Sequence, residues 1–564
     1  MMAQPSPRDD SGQLPDGVER PPYQHTGDES MKTIYHNGVI YTGALPLVTA
    51  FSMENGKFTA VGSDAELLSS RCDGDAVIDL QGKFVCAGFN DSHMHLLNYG
   101  YALTMAPLHE HTRSLADMLA CLHDHLAAHP LQPGEYLLGR GWNQDYFEDE
   151  HRLPTKEDLD SVSCDIPIII TRACGHIGCA NTAAIRLAGI TPETAQPEGG
   201  HFDIENGELT GIFRENALSM VKEPIPAPDA TAIANMIRAA AAKVNSYGIT
   251  SVQTDDLPVF PVDPEVIHTA YRSLADAGEL SVRVNEQAHF CDTESLGAYI
   301  AAGHITGEGD EFFRVGPLKM LGDGSLGAGT AYMSRPYADQ PDNRGIAIYT
   351  KDQFRDMIAL AHANRMQVAI HAIGDGILDD ILDAYEDVLA ADPRDDHRHG
   401  VVHCQITRPD QLERMKNLQL HAYVQSIFLD YDNRIVRQRV GDMADTSYAF
   451  RTLKEQYHAS NGSDCPVELP NVLGGIQCGV TRNTLAGDAL YRPEEAFSVQ
   501  QAIDTFTSEG AFASREERIK GKIQPGMLAD FVILGGNPFA VPANEIAKIP
   551  VLQTVLGGKT VYQR

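Results

Sequence analysis

The feature of the sequence that most constrains its fold is a series of short apolar runs, each followed by a helical stretch. Such runs indicate strands, and their alternation with helices is typical of parallel βαβ units. Eight are present, the number that a (β/α)8 barrel requires, and such a barrel carries its functional residues at the C-terminal ends of its strands. The sequence therefore predicts an α/β protein with a TIM-like barrel. The eight runs are residues 83–95, 248–256, 280–287, 313–324, 366–375, 400–406, 420–426 and 457–466.

The two ends of the chain and the long interval after the first run predict further units. Residues 32–62 alternate apolar and polar side chains around Asn-Gly turns, and strand-like runs return at 529–536 and 551–564. About 150 residues separate the first and second runs, far more than a connecting loop needs, so an inserted subdomain is expected there. The predicted units are a disordered leader (1–31), a small β-sandwich domain built from both chain ends (32–86 and 519–564), and a barrel (87–518) containing the insertion (97–247).

The charge balance limits the classes of partner. The chain has 77 acidic and 44 basic residues, a formal net charge of −33. Because such a field repels phosphate groups, it argues against nucleic acid and anionic membranes as partners. No apolar run is long enough for a membrane span. Ten cysteines without a C-x-x-C pair favour reduced thiols and a cytoplasmic protein. A homodimer is expected only on the general ground that symmetric pairs are common.

Two histidines close the first strand-like run, in the sequence NDSHMH. Residues i and i+2 of a strand point to the same face, so His93 and His95 can reach one metal ion. Alone, this H-x-H pattern is more often structural than metal-binding. Its position after an aspartate at the end of a predicted barrel strand strengthens the metal hypothesis.

Three later runs also end in residues that can bind metal. His371 and His403 end successive runs, and Asp464 ends the last one. Each histidine taken alone is typical of a hydrogen-bonded core position, and Asp464 taken alone is typical of a turn. Together, after an H-x-H strand, they favour a metal site in which the carboxylate binds the metal and accepts a proton from bound water.

Lys319, in the fourth run, is predicted to face the barrel interior. A buried amine is costly unless it is paired or modified. Two explanations remain open from the residues alone. The ammonium group pairs with nearby Asp323, or CO2 converts the amine into a carbamate whose oxygens bridge two cations.

The ordered set of histidines, lysine and aspartate resembles the amidohydrolase superfamily of metal-dependent hydrolases. The longer stretches resemble its type-3 branch, which includes N-substituted formamide deformylases, and the likeness extends over roughly residues 32–564. The resemblance implies that the chain hydrolyses a non-peptide C–N bond in a small molecule with an amide, N-acyl or N-formyl group. The matching stretches include AGFNDSHMH, GRGWNQD, CGHIGCANTAAI, GIFRENA, LKMLGDGSLGAGTAYMSRPY, HAIGDG, VVHCQI, NGSDCPVE and GKIQPGMLADFVIL.

The resemblance also implies a centre of two divalent ions, for which zinc is the usual metal. Asp464 would act as the general base for a metal-activated hydroxide that attacks the substrate carbonyl. The implied ligands are His93 and His95 for the more buried ion, His371 and His403 for the second ion, Asp464, and a carbamylated Lys319 that bridges the two ions.

Residues in other matching stretches are predicted to bind the substrate. Each also has a structural interpretation: a core position for the single tryptophan, a loop cap for the histidine, and bracing of the loop after the fourth run for the other two. Glu215 is a rival bridging carboxylate, ranked below Lys319 because it lies in the predicted insertion. The predicted substrate-binding residues are Trp142, His176, Asp323 and Arg335.

Two other functions are alternatives to hydrolysis of a C–N bond. A catalytically inactive barrel that serves as a binding or scaffold protein predicts missing ligands, and all six are present. A glycosidase on the same fold would place glutamates at the ends of strands 4 and 7, where this chain has Lys319 and Ser426.

Overall fold

An eight-stranded parallel sheet forms the centre of the protein and closes almost completely into a barrel. The computed structural model describes residues 32–132, 134–172 and 176–564, so the predicted leader lies outside the described residues. Each strand coincides with one of the eight runs, with strand 3 extending two residues beyond its run to His289, and the predicted barrel is confirmed. Barrel strands 1 to 8 are Phe89–Met94, Ile249–Thr254, Arg283–His289, Phe313–Leu321, Val368–Ala372, Gly400–His403, His421–Val424 and Ala459–Asn461.

Helices connect the barrel strands and bury their apolar faces against them. Their starts follow local sequence rules: the side chains of Asp263 and Asp292, for example, accept hydrogen bonds from backbone N–H groups in the first turns of the helices that follow them. Within the described part of the chain, no helix combines the length and apolarity needed to cross a membrane. The main connecting helices are Ala230–Asn245, Pro264–Asp276, Thr293–Ala301, Lys351–Ala363, Asp375–Ala391, Pro409–Asn417, Phe450–Gln456 and Val472–Thr481.

The first predicted run divides into two strands that belong to different sheets. Phe84–Ala87 pairs with Phe531–Leu534 near the other end of the chain, whereas Phe89–Met94 is barrel strand 1. Gly88 stands between them, where an added Cβ atom would lie 2.2 Å from the hydroxyl oxygen of Thr250. A glycine is therefore required where the chain passes from the small sheet into the barrel.

Two small sheets lie beside the barrel and share one apolar core. The four-stranded sheet comes from the N-terminal region, and the five-stranded sheet combines strands from both chain ends. Tyr35, Phe51 and Phe531 pack ring against ring between the two sheets. In sheet order, the strands are Lys57–Gly62, Ala50–Glu54, Thr33–His36 and Ala76–Asp79 in the first sheet, and Val39–Ile40, Phe84–Ala87, Phe531–Leu534, Val551–Leu556 and Lys559–Gln563 in the second.

The segment between barrel strands 1 and 2 contains a six-stranded sheet with a helix-bearing core on each face. Ile168 and Ile170 point into one core and Ile169 into the other, as expected for alternate residues of a strand. The strands in sheet order are Gly200–Glu205, Glu208–Glu215, Ile177–Ala180, Ile168–Arg172, Leu137–Trp142 and Ala106–Pro107, and the helices include Leu115–Ala128, Thr182–Leu187 and Asn216–Lys222.

A buried ion pair fastens the C-terminal strands to the barrel. Arg283, the first residue of barrel strand 3, donates from Nε and Nη2 to the two carboxylate oxygens of Asp530, at 2.7 and 3.0 Å. Both side chains are less than one-twentieth exposed. The Asp530 carboxylate also accepts the backbone N–H of Gly557, at 2.7 Å. One carboxylate thus links the barrel to two segments of the C-terminal region.

Replacement of Asp530 by alanine is expected to destabilise the protein by about 3–5 kcal/mol, because it leaves the Arg283 guanidinium buried without a counter-charge. Chemical denaturation followed by circular dichroism measures the effect. Glu148→Ala is the matched control, since that carboxylate pairs with Arg113 on the surface and both side chains are mostly exposed. Equal stability of the two variants would contradict this assignment.

Candidate metal centre

Four imidazoles and one carboxylate converge at the C-terminal ends of the barrel strands. His93 and His95 follow from strand 1, and both Nε2 atoms lie near Oδ1 of Asp464, at 3.3 and 3.1 Å. The ring of His403 lies 5.5 Å from the ring of His93 and 4.4 Å from that of His371. The structure therefore brings together five of the six predicted ligands as a tight group.

Backbone contacts position the carboxylate in this group. Asp464 has a φ of 58°, in the left-handed region that is uncommon for a non-glycine residue. Its N–H donates to the carbonyl of His93, at 2.8 Å, and the N–H of His95 donates to the carbonyl of Cys465, also at 2.8 Å. These two bonds tie the turn after strand 8 to the end of strand 1 and hold Asp464 against both histidines.

Each imidazole has one ring nitrogen engaged by an oxygen acceptor. Nδ1 of His93 lies 2.7 Å from the side-chain oxygen of Gln287, and Nδ1 of His403 lies 2.7 Å from that of Gln425. Nδ1 of His95 lies 3.0 Å from the Asp255 carbonyl oxygen. An oxygen acceptor fixes the proton on the nitrogen that it contacts. In these three residues Nε2 is therefore the nitrogen left for the group itself, and in His93 and His95 it contacts Oδ1 of Asp464.

His371 uses the opposite nitrogen. Its Nε2 lies 3.0 Å from the carbonyl oxygen of Gly324 and 3.2 Å from Oδ1 of Asp323. The proton is thereby fixed on Nε2, and Nδ1 carries the lone pair. Each of the four rings thus has one nitrogen engaged by an acceptor outside the group, which leaves the other nitrogen as the one that could bind a cation.

The electrostatics favour neutral imidazoles at His93 and His403 beside an ionised Asp464. Burial lowers the pKa of His93, and the neighbouring ammonium group of Lys319 lowers it further. Burial and the adjacent His371 hold the pKa of His403 well below its usual value. Burial opposes ionisation of Asp464, but hydrogen bonds from His93 and His95 outweigh it and hold its pKa well below the ordinary range. Neutral imidazole and ionised carboxylate are the metal-binding forms.

His95 differs from the other histidines. Burial acts to lower its pKa, yet the hydrogen bond and the charge of Asp464 prevail and raise the pKa to about 9. A cation that binds Nε2 of His95 would therefore have to displace the proton between His95 and Asp464.

The donor set fits a divalent transition metal. Ligand atoms of His93, His403 and Asp464 all lie within 4.8 Å of one another. Zinc binds nitrogen and oxygen at about 2.0–2.2 Å, which places tetrahedral ligand atoms about 3.3 Å apart. The 3.3 and 3.1 Å separations from Asp464 to His93 and His95 match that spacing. A carboxylate with several imidazoles is also the ligand chemistry that zinc favours.

Lys319 lies on barrel strand 4 with its side chain 2 % exposed, facing the barrel interior. Its Nζ lies 3.7 Å from Oδ2 of Asp255, the residue that follows strand 2. The sequence-based alternative, a pair with Asp323, is wrong, because the Asp323 carboxylate accepts the backbone N–H groups of Tyr332, Ile373 and Gly374.

Asp255 is a buried carboxylate that contacts two basic side chains. Its oxygens lie 3.1 and 3.2 Å from Nδ1 of His289, at the end of strand 3, in addition to the contact with Lys319. Burial opposes ionisation, but His289, Lys319 and His95 together lower the pKa of Asp255. This carboxylate therefore supplies negative charge directly beside the group of imidazoles.

The predicted substrate-binding residues occupy different surroundings. Trp142 is fully buried in one core of the inserted sheet, as its core interpretation expects, and its role in substrate binding stays a prediction. Asp323 is also fully buried, and its carboxylate braces the loops after strands 4 and 5 by accepting their backbone N–H groups. Arg335 is half exposed and pairs with Asp442.

His176 and Glu215 form a pair on the inserted sheet. Nδ1 of His176 lies 2.9 Å from a carboxylate oxygen of Glu215, and the backbone N–H of Glu215 donates to the carbonyl of His176. Both side chains are more than half exposed. Glu215 thus stands at the end of an inserted strand rather than a barrel strand, and Lys319 remains the residue placed inside the barrel.

Four residues of this site were not singled out from the sequence. Their common signal is position, because each lies within two residues of the C-terminal end of a barrel strand. Amide and carboxyl side chains carry no distinctive spacing, so only the expectation that strand ends meet at one rim could have drawn attention to them. They are Asp255, Gln287, His289 and Gln425.

Comparison with known proteins places the chain among amidohydrolases. The sequence profile of the Amidohydrolase family matches residues 76–562. The protein named amidohydrolase YtcJ from Bacillus subtilis (strain 168) is 30% identical over 542 residues, which cover 95% of this chain and all of that protein. The N-substituted formamide deformylase of Arthrobacter pascens is 26% identical and aligns with 91% of this chain and 95% of its own length.

A solved structure shares the fold over most of the chain. The crystal structure of an uncharacterized metal-dependent hydrolase from Pyrococcus furiosus superimposes with a TM-score of 0.75 and 28% sequence identity. The match covers 90% of this chain and all of that one.

Replacement of Gln425 by leucine is expected to weaken zinc binding by about 10–100-fold, because it removes the acceptor that fixes the His403 tautomer. Competition with a chelator of known affinity measures the change. Gln425→Glu keeps an acceptor oxygen at the same position and should retain most of the affinity. Equal zinc affinity of the wild type and Gln425→Leu would show that this hydrogen bond does not orient a ligand.

Proposed function

The chain belongs to the amidohydrolase family, and from this premise we propose that it is a metal-dependent hydrolase of a non-peptide C–N bond. Its substrate class is a small molecule with an amide, N-acyl or N-formyl group. One observation carries the proposal: four imidazoles, each with one ring nitrogen engaged by an oxygen acceptor outside the group, surround an ionised aspartate inside the barrel.

The residues would hold two divalent ions, with zinc as the expected metal. His93 and His95 would bind one ion and His371 and His403 the other, with Asp464 as a further ligand. Lys319, as a carbamate, would bridge the ions. The supporting observation is that Lys319 is almost fully buried, with its amine 3.7 Å from the carboxylate of Asp255. Reaction of the neutral amine with CO2 forms the N–C bond and releases one proton.

When bound, the ions would supply Lewis acidity that polarises the substrate carbonyl and makes water more acidic. Asp464, held ionised by its neighbours, accepts the proton of the attacking water and then donates it to the leaving nitrogen. The overall reaction adds one water molecule across the C–N bond and yields a carboxylic acid and an amine.

The surroundings of Asp464 favour this proton transfer. The aspartate is nearly buried, and its position is set by backbone bonds rather than by a flexible side chain alone. A preorganised base loses little entropy when it reaches the reacting water. His93 and His95, hydrogen-bonded to Gln287 and to the Asp255 carbonyl, keep their orientation as the charge on Asp464 changes.

Replacement of Asp464 by asparagine is expected to lower kcat by about 10²–10⁴-fold, because an amide cannot accept the proton of water. The substrate is found first, by screening N-formyl, N-acyl and cyclic amides for amine release with zinc-loaded protein. Metal analysis accompanies every assay. A wild-type protein without stoichiometric metal, or one that hydrolyses no member of these classes, would favour the inactive binding or scaffold protein instead.

Lys319→Ala is expected to lose activity, and short carboxylic acids such as formate or acetate are expected to restore part of it by occupying the place of the carbamate. Metal content and activity are measured with and without the added acid. Glu215→Ala tests the rival bridging carboxylate and should retain the metal, since Glu215 lies on the inserted sheet. Unchanged activity and metal content in Lys319→Ala would refute a bridging carbamate.

A further inference from the structure

A second group of potential metal ligands lies outside the barrel strands. Glu265 and His268 stand three residues apart on the helix Pro264–Asp276, so they share one face of it. His304 lies in the segment between the helix Thr293–Ala301 and barrel strand 4. We propose that these three side chains form a second binding site for a divalent ion of the zinc type, independent of the function proposed for the barrel.

The distances suit a single ion. Oε2 of Glu265 lies 3.8 Å from Nδ1 of His268 and 3.5 Å from Nε2 of His304. All three ligand atoms lie within 4.8 Å of one another. Tetrahedral zinc holds nitrogen and oxygen ligands about 3.3 Å apart, so movements of a few tenths of an ångström complete the site.

The remote nitrogen of each histidine contacts an oxygen, as in the barrel. Nε2 of His268 lies 3.1 Å from the hydroxyl of Tyr299, and Nδ1 of His304 lies 3.4 Å from a carboxylate oxygen of Glu308. With the protons on those nitrogens, Nδ1 of His268 and Nε2 of His304 turn lone pairs toward Glu265.

His268 provides the strongest indication of a ligand. Its side chain is fully buried, yet its Nδ1 has no hydrogen-bond partner among the described residues. A buried polar atom is normally paired, and an exception calls for an unseen partner.

The charges around the cluster also favour a cation. Arg272 contacts Oε1 of Glu265, at 3.2 Å, and the carboxylate of Glu308, at 3.1 Å. Two carboxylates and one guanidinium leave a net negative charge, and the interaction with Arg272 leaves Oε2 of Glu265 directed to the histidines. Because the side chain of Glu265 is 52% exposed, water can fill the fourth position of a His2Glu site.

The proposed ion would join two consecutive βα units of the barrel. His268 packs edge to face on Phe313, the first residue of strand 4, with ring centroids 5.2 Å apart. Glu265 and His268 belong to the helix after strand 2, whereas His304 belongs to the segment that leads into strand 4. The ion would therefore have a structural role: it would join the helix after strand 2 to the segment before strand 4, without direct contact with the substrate.

The test counts ions in the complete protein after zinc saturation and desalting. Glu265→Gln and His304→Gln should each carry one zinc ion per chain fewer than the wild type, and should show a smaller rise in melting temperature on zinc addition. His123→Gln is the matched control, because it removes an exposed histidine from a helix of the insertion. It should retain the wild-type ion count.

The count is repeated with cobalt, whose visible absorption reports coordination by nitrogen and oxygen. Loss of one ion from both cluster variants, with the control unchanged, supports the site. Equal ion counts in the wild type, Glu265→Gln and His304→Gln would overturn it. Failure of the barrel to bind metal would leave this difference intact, so the two proposals fail separately.

Discussion

The contact between the turn after barrel strand 8 and the end of strand 1 is the one on which the rest of the structure depends. The two strands stand at opposite ends of the hydrogen-bonded sheet order. The segments that follow them are joined by the backbone bonds from Asp464 to His93 and from His95 to Cys465. The same turn directs the Asp464 carboxylate to both histidines, 369 residues away from His95 in sequence. The contacts that close the barrel are therefore the same contacts that assemble the candidate metal centre.

This arrangement concentrates polar groups where a barrel would otherwise bury apolar ones. Asp91, two residues before His93 on barrel strand 1, is fully buried. Burial raises its pKa to about 7, even though its carboxylate accepts hydrogen bonds from the hydroxyl and the N–H of Ser463. Asp255 keeps its charge only because His289 and Lys319 face it. Removing such groups from water costs free energy that each partner offsets incompletely. A bound cation at the centre would offset the remainder, so we expect metal binding and stability to be linked.

The sequence alone was sufficient for the barrel and for the core of the candidate site. Eight apolar runs ending in polar residues specify both the strands and the rim where those residues meet. Gln287 and Gln425 could not be predicted, because an amide near a strand end forms no distinctive sequence pattern. Its effect on a histidine depends on which ring nitrogen its oxygen contacts, and only the structure shows that. The proposed ligands Glu265, His268 and His304 are not recognisable in the sequence for a related reason. His268 and His304 lie in different helix-bearing units, and only packing brings them to Glu265.

The substrate-binding predictions show where motif matching stops being informative. Asp323 lies in a stretch that resembles the family, but its carboxylate is consumed by the N–H groups of Tyr332, Ile373 and Gly374 and by Nε2 of His371. One buried carboxylate thus holds the loop after strand 4, the loop after strand 5 and the candidate metal ligand His371. Because loops at this rim border any bound substrate, their shape and the orientation of His371 cannot vary independently. We therefore expect a substitution of Asp323 to change the shape of these loops and the orientation of His371 together.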